Sequence, residues 1–132
     1  MRKILIQGGT VISMEPSRVA GLIENILIEN DQISDVGGIN PTDDMEVIDA
    51  TDCIVLPGLI DSHVHTWQTG LRGIAGDWTV PQYMRAMHRG LATYFQPEDI
   101  FIANLIGALS KLDAGITTLV DWCHNNPTPD HT

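Results

Sequence analysis

The order of its patterned segments predicts an α/β fold for this chain of 132 residues. Short runs rich in Ile, Leu and Val fill residues 2–56, and the Gly, Asn and Asp between them are typical of a small β sheet. A longer apolar run begins at Pro57-Gly58, and two segments of helical periodicity and one more strand-like run follow it. We therefore predict two parts, a β segment over residues 1–56 and an α/β segment over residues 57–132.

The β segment is expected to contain consecutive short strands. Residues 3–7 and 10–13 flank Gly8-Gly9, and two glycines between apolar runs predict a hairpin, so these two strands should be antiparallel. The turn residues Asn30-Asp31 join the next two strands. The remaining strands are predicted over residues 25–29, 32–36, 46–49 and 53–56, with loops over 14–22 and 37–45.

The α/β segment should begin with a buried strand and a loop over residues 66–78. Thr79 then opens a helix, since Gln82 three residues later completes a capping box. A stripe of apolar and ring side chains is predicted to form the buried face of this helix: Met84, Met87, His88 and Leu91.

Pro97 begins a second helix that Gly115 ends. Its predicted apolar stripe consists of Ile100, Phe101, Asn104, Leu105, Ala108, Leu109 and Leu112. The next strand runs from Ile116 to about Trp122, and a strand, helix, helix, strand order predicts that the two strands are parallel.

Two histidines with i, i+2 spacing end the first of these strands. Side chains on a strand alternate between faces, so His63 and His65 should project to one side, together with Asp61. Imidazole nitrogens are ligands that Zn²⁺ accepts, and a catalytic zinc usually has three protein ligands, so these two residues predict part of a metal site. Fe²⁺ accepts the same ligands, so the identity of the metal stays open.

The residues Pro57-Gly58-Leu59-Ile60-Asp61, with His63 and His65, resemble the first barrel strand of the amidohydrolase superfamily of metal-dependent hydrolases. Gln68 with Leu71-Arg72-Gly73 resembles the branch that contains guanine, cytosine and methylthioadenosine deaminases and the triazine hydrolases. The resemblance implies the N-terminal part of a TIM-like (β/α)8 barrel, preceded by a small β-sandwich segment. A closed barrel needs about 250 residues, so both parts are expected to be incomplete here, as in an N-terminal fragment.

The resemblance also implies a reaction, the hydrolysis of an aminated N-heterocycle such as a purine, pyrimidine or triazine by metal-activated water. Zinc is the metal expected first. The other metal ligands and the catalytic acid and base would lie on later strands, beyond residue 132, so the isolated chain is expected to show no turnover.

Four residues are predicted to contact the substrate. Gln68 matches the branch motif, and its amide can donate and accept hydrogen bonds to a heterocycle edge. Trp67 can stack on a ring or pack the loop, Arg72 can reach a carbonyl or form a structural turn, and His124 should lie at the same strand ends as His65. Asp61 and Asp121 are expected to orient metal ligands by hydrogen bonds, although Asp121 can equally end its strand.

The net charge of −10 argues against nucleic acid and anionic membranes as partners. A small-molecule substrate is the expected partner, and a homo-oligomer stays open. The sequence shows neither a signal peptide nor an apolar run of about 20 residues, so a cytoplasmic protein is expected. Cys53 and Cys123 are expected to be reduced, structural thiols.

Two alternatives remain at this point. The chain can be a non-catalytic fragment with a weak metal site of two histidines. It can also belong to an enzyme of the hydantoinase and dihydroorotase type, which needs a modified lysine on a later strand; Lys111 is predicted to lie on a helix and does not fit that role.

Overall fold

The computed structural model describes residues 2–131, which divide between Pro57 and Gly58 into two compact units. It confirms the mixed α/β class. The strands are β1 (Lys3–Val11), β2 (Leu22–Glu29), β3 (Gln32–Gly37), β4 (Glu46–Asp49), β5 (Ile54–Val55), β6 (Leu59–Val64) and β7 (Ile116–Asp121). The two α-helices are α1 (Val80–Tyr83) and α2 (Pro97–Asp113). None of the helices within residues 2–131 is both long and apolar enough to cross a bilayer.

The first unit is a β sheet in the order β3-β2-β1-β4, in which β5 also pairs with β1. Strands β2 and β3 form the antiparallel hairpin predicted at Asn30, whose φ of 57° is the left-handed conformation that such a turn requires. Strands β4 and β5 both run parallel to β1, one along residues 4–7 and the other along residues 10–11. Leu5, Val11 and Ile26 are buried in this unit.

The predicted hairpin at Gly8-Gly9 is wrong, because β1 continues through both glycines. The pairing of β1 with β2 shifts between Ile6 and Gly9, and Gly8 has a φ of 77° while its N–H donates to Asn25 Oδ1 at 2.8 Å. The glycines therefore form a bulge. A Cβ on Gly9 would lie 2.4 Å from Val55 Cγ2, so this glycine allows β5 to approach β1.

In the second unit, β6 and β7 pair in parallel, which confirms the predicted strand direction. Gly58, just before β6, lies against β7. A Cβ on Gly58 would lie 2.0 Å from Thr117 Oγ1, so only glycine fits there. The predicted loop after β6 begins instead with a 3₁₀ turn over Thr66–Leu71.

The helix predicted at Thr79 is confirmed but is short. The Thr79 N–H donates to Gln82 Oε1 at 2.8 Å, and after α1 the chain forms a π turn (Met84–His88) and a 3₁₀ turn (Leu91–Tyr94). Met87 is buried, whereas Met84 is 48% exposed and Leu91 36% exposed, so the predicted stripe is only partly a core face. The wider π turn interrupts the i, i+3, i+4 spacing on which that prediction depended.

Helix α2 begins and ends where the sequence predicts. The Gln96 N–H donates to Asp99 Oδ2 at 2.9 Å, and Gly115 follows the helix with a φ of 81°. Its buried face consists of Ile100, Ala103 and Gly107. Four members of the predicted stripe are exposed, namely Phe101, Leu105, Leu109 and Leu112. The buried face of α2 includes small residues because the helix packs closely against the Thr66–Leu71 turn. A Cβ on Gly107 would lie 2.6 Å from Thr69 Oγ1.

Candidate metal and ligand site

His63 and His65 lie together at the C-terminal end of β6. Their ring centroids are 5.1 Å apart and the ring planes are perpendicular. His63 is exposed and stacks on the indole of Trp122 at a centroid distance of 5.0 Å, while His65 is half-buried. Trp122, which directly follows β7, therefore orients the first imidazole of the pair.

The same residue fixes the tautomer of His65. Nδ1 of His65 lies 2.7 Å from the backbone carbonyl oxygen of Trp122. A carbonyl oxygen can only accept, so Nδ1 carries the proton and the lone pair of Nε2 is free. Metal-binding histidines in proteins commonly donate the second ring N–H in this way. The arrangement therefore suits His65 as a ligand through Nε2.

Asp61 holds the backbone beside the histidine pair. Its Oδ1 accepts from the His63 N–H at 3.1 Å, and its Oδ2 accepts from Lys111 Nζ at 2.7 Å. The Lys111 hydrogen bond, followed by that of the His63 backbone, lowers the pKa of the Asp61 carboxyl. The carboxylate thus ties β6 to α2, and the sequence alone did not indicate this ion pair.

Asp121 at the end of β7 holds the turn that follows His65. Its Oδ1 accepts from the Thr66 N–H at 3.1 Å and its Oδ2 from the Thr66 hydroxyl at 2.5 Å. That hydroxyl also lies 2.8 Å from Oδ1 of Asn104 on α2. Thr66 is buried, so these bonds satisfy its polar atoms and fix the chain between His65 and Gln68.

His124 and His88 extend the group of imidazoles. The His124 ring centroid lies 4.4 Å from that of His65 and 4.4 Å from that of His88. Burial is the main cause that lowers the pKa of both His88 and His124, and the neighbouring His65 adds to it. Both rings are consequently neutral near pH 7, in the form that accepts hydrogen bonds.

A cavity of about 370 Å³ opens beside His65. Gln68 and Arg72, both predicted to contact the substrate, line it together with His65 and Lys111. Nε2 of Gln68 donates to the hydroxyl of Tyr83 at 2.6 Å. The cavity can therefore present a histidine, an amide and two cations to one small molecule.

Trp67 lies in the core of the unit. Its side chain is 0% exposed and packs with Met87 and Ile100, and its ring meets Phe95 edge-on at 5.3 Å. The indole Nε1 has no hydrogen-bond partner among the described residues. The residues that line the cavity beside His65 do not include Trp67, so its position corresponds to the packing alternative of the sequence analysis.

The histidine pair fits two positions of a metal centre. The two rings share one face, and the free Nε2 of His65 is the form that coordinates. Within residues 2–131, no set of three or more His, Cys, Asp or Glu residues is arranged to hold an ion. His63 and His65 are therefore the two candidate ligands among the described residues.

Among curated proteins, the chain is similar to deaminases. Over 126 residues the chain is 33% identical to a 5′-deoxyadenosine deaminase of Methanothrix thermoacetophila, covering 93% of this chain and 28% of the relative. Over 121 residues it is 29% identical to a 5-methylthioadenosine/S-adenosylhomocysteine deaminase of Carboxydothermus hydrogenoformans, covering 89% of this chain and 28% of the relative. The chain thus spans little more than a quarter of the length of these relatives.

Comparison with solved structures identifies hydrolases. A triazine hydrolase from Arthrobacter aurescens matches with a TM-score of 0.76 and 29% identity over 92% of this chain and 28% of that protein. The zinc complex of an atrazine chlorohydrolase from the same species matches with a TM-score of 0.77 and 29% identity, over 89% of this chain and 28% of that protein. No family model matches the sequence. The deaminase relatives and the hydrolase structures support the resemblance of the motif around His63 and His65 to the deaminase and triazine hydrolase branch of the amidohydrolase superfamily.

Proposed function

We propose that this chain forms the start of a TIM-like barrel in a metal-dependent hydrolase that cleaves a non-peptide carbon–nitrogen bond or a related bond of an aminated N-heterocycle. The free Nε2 of His65, beside His63 at the end of β6, is the observation that supports this function most strongly. The parallel pair β6 and β7, with its connecting helices, has the order of elements that begins such a barrel.

His63 and His65 would hold a divalent metal, zinc first and iron as the other choice. Such a metal supplies a nucleophilic water at neutral pH when it is bound. Trp122 keeps the proton of His65 on Nδ1, and Asp61 fixes the backbone of His63. Asp121, through Thr66, holds the turn that leads to the cavity. The general acid and base are proposed to come from later strands of the barrel.

The cavity beside His65 is proposed to receive the heterocycle. Gln68 and Arg72 line it and would contact the ring substituents, and His124 would approach from the end of β7. The curated relatives are named for deamination of adenine nucleosides and the structural neighbours for hydrolysis of triazines. Both classes of substrate are nitrogen-rich rings with an exchangeable substituent, and we propose a substrate of this kind.

The test is an activity assay on the complete product of the gene, loaded with Zn²⁺. We expect ammonia release from 5′-deoxyadenosine or chloride release from atrazine. His63→Ala and His65→Ala should each lower kcat/KM by more than about 100-fold, because loss of a ligand should exceed the effect of losing a ligand's hydrogen-bond partner. His131→Ala is the matched control, since the side chain of this histidine lies 2.7 Å from the Thr128 hydroxyl and does not line the cavity beside His65. Activity that survives in both variants would contradict the proposal.

A further inference from the structure

A hydrogen-bonded chain of three side chains begins at the cavity and ends at the half-buried His88. Nε2 of Gln68 lies 2.6 Å from the hydroxyl oxygen of Tyr83, and Nε2 of His88 lies 3.1 Å from the same oxygen. The Tyr83 and His88 rings are perpendicular, with centroids 5.0 Å apart. The π turn after α1 brings the His88 ring to the hydroxyl of Tyr83, five positions earlier in the sequence.

The chain of bonds has one direction. An amide N–H can only donate, so the Tyr83 oxygen accepts from Gln68. The phenol proton is then available to His88 Nε2, which accepts it when the proton of the neutral imidazole is on Nδ1. Burial lowers the pKa of His88, which agrees with a neutral ring that has a free nitrogen lone pair.

This direction determines which end of the Gln68 amide is free. A glutamine amide without partners can turn about its last torsion angle and exchange its oxygen and nitrogen. Here the bond to Tyr83 fixes the nitrogen, which leaves Oε1 as an acceptor without a partner among the described residues. The other polar side chains of the cavity include Arg72 and Lys111, which only donate. Gln68 Oε1 thus joins His65 Nε2 and the Thr69 hydroxyl as an acceptor in a cavity that also contains two cationic donors.

We propose that Tyr83 and His88 are positioning residues that fix the Gln68 amide, so that its oxygen faces the cavity and the site prefers ligands that present an N–H donor. The inference rests on the proposed function, because it concerns the ligand of the same cavity. It names the substrate class more narrowly: a ring that carries an exocyclic amine on the edge that meets Gln68. A ring with only acceptors on that edge would place two lone pairs against each other.

The test compares two probes that differ at one substituent. 9-Methyladenine has an exocyclic N–H donor, and 6-methoxy-9-methylpurine has only acceptors at that position. Affinities are measured by ligand-observed NMR with the full chain. We expect the wild type to bind 9-methyladenine about threefold to tenfold more tightly, the range that one hydrogen bond contributes.

Variants separate positioning from general stability. Tyr83→Phe keeps the ring and removes the hydroxyl, so the preference should fall toward one. Tyr94→Phe is the matched control, since Tyr94 is 78% exposed and does not line this cavity. His88→Gln keeps an acceptor for the Tyr83 proton and should retain the preference, whereas His88→Leu should lose it. The wild type should also show one downfield Gln68 side-chain amide proton that Tyr83→Phe shifts back.

Four results would overturn the inference: equal affinities in the wild type, a preference for the methoxy purine, an unchanged ratio in Tyr83→Phe, or no binding of either probe. The proposed function fails separately. If the assays with 5′-deoxyadenosine and atrazine show no turnover while the binding ratio behaves as expected, hydrolysis is refuted and the role of Tyr83 stands. If turnover depends on His63 and His65 but the ratio is one, only the inference fails.

Discussion

The imidazole of His65 is fixed by one backbone carbonyl, that of Trp122, at 2.7 Å. This single bond determines which ring nitrogen is free, and thereby what the residue can coordinate. The alternation of side chains on a strand predicts that His63 and His65 share a face, and their ring centroids lie 5.1 Å apart. Trp122 lies 57 positions away from His65, so its role depends on strand pairing and has no local signal in the sequence.

Asp44 shows the same dependence on partners at the surface. Lys3 Nζ lies 2.8 Å from its Oδ2 and the Thr42 hydroxyl 2.5 Å from its Oδ1, and these bonds lower the pKa of Asp44 from 3.8 to about 2. A carboxyl whose pKa is lower in the folded state stabilises the fold above its unfolded pKa. We therefore expect this contribution to be present above about pH 4 and to be lost as the pH falls toward 2.

An NMR titration of the Asp44 side-chain carboxyl measures this directly. Lys3→Met should move the midpoint from about 2 upward toward 3.8, because the lysine hydrogen bond is the largest cause of the shift. Arg2→Met removes the neighbouring ion pair with Glu46 and should leave the Asp44 midpoint in place. A wild-type midpoint near 3.8 would show that the pair with Lys3 does not form in solution.

At the scale of elements, α2 is positioned by its smallest residues. A Cβ on Gly107 would lie 2.6 Å from Thr69 Oγ1 and 3.1 Å from the backbone oxygen of Thr66. The helix therefore contacts the turn that carries Thr66 and Gln68 without a side chain between them. Any shift of α2 would move that turn, and with it the floor of the candidate site.

Gly107→Ala should lower the free energy of unfolding by about 1–3 kcal/mol, because the added methyl group overpacks the contact with the turn. Without that contact, alanine in a helix interior would raise it by about 0.5–1 kcal/mol. Ser110→Ala, on the same helix, is the control and should change stability little. Denaturation in urea measures both. A Gly107→Ala variant that is more stable than the wild type would show that α2 lies further from the turn.

Local signals in the sequence were sufficient to predict where both helices begin and where α2 ends. Gln82 three residues after Thr79 and Gly115 after α2 are such signals, since caps depend on neighbours in the chain. The bulge at Gly8 was mistaken for a turn, because the difference depends on β5 approaching β1. The predicted apolar stripe of α2 is largely exposed, because the spacing of apolar residues does not show which elements are present to cover them.

At the scale of the whole molecule, large apolar side chains remain exposed on α2 and β6. Phe101 on α2 is 68% exposed and Ile60 on β6 is 71% exposed. The chain spans about 28% of the length of the curated relatives, and its described residues contain no set of three or more side chains arranged to hold a metal ion. Both observations agree with a proposed hydrolase in which further elements of the barrel cover these surfaces and complete the metal centre.

The His63-x-His65 motif and its neighbours were sufficient to predict a resemblance that the relatives support, because side chains close in sequence carry that pattern. The contacts that support the site were not predictable in the same way. Three of these hydrogen bonds join residues 15 or more positions apart: Asp61 with Lys111, Thr66 with Asp121, and Gln68 with Tyr83. They become visible only when β6, β7 and the helices are packed together.

The role of His63 and His65 as paired metal ligands is tested most directly by ¹H–¹⁵N NMR of the histidine side chains during a Zn²⁺ titration. We expect Nε2 of His65 to coordinate while Nδ1 keeps its proton on the Trp122 carbonyl. His63→Ala should weaken binding by more than about tenfold. Coordination of His65 through Nδ1, or a zinc affinity that His63→Ala leaves unchanged, would contradict the metal site proposed at the end of β6.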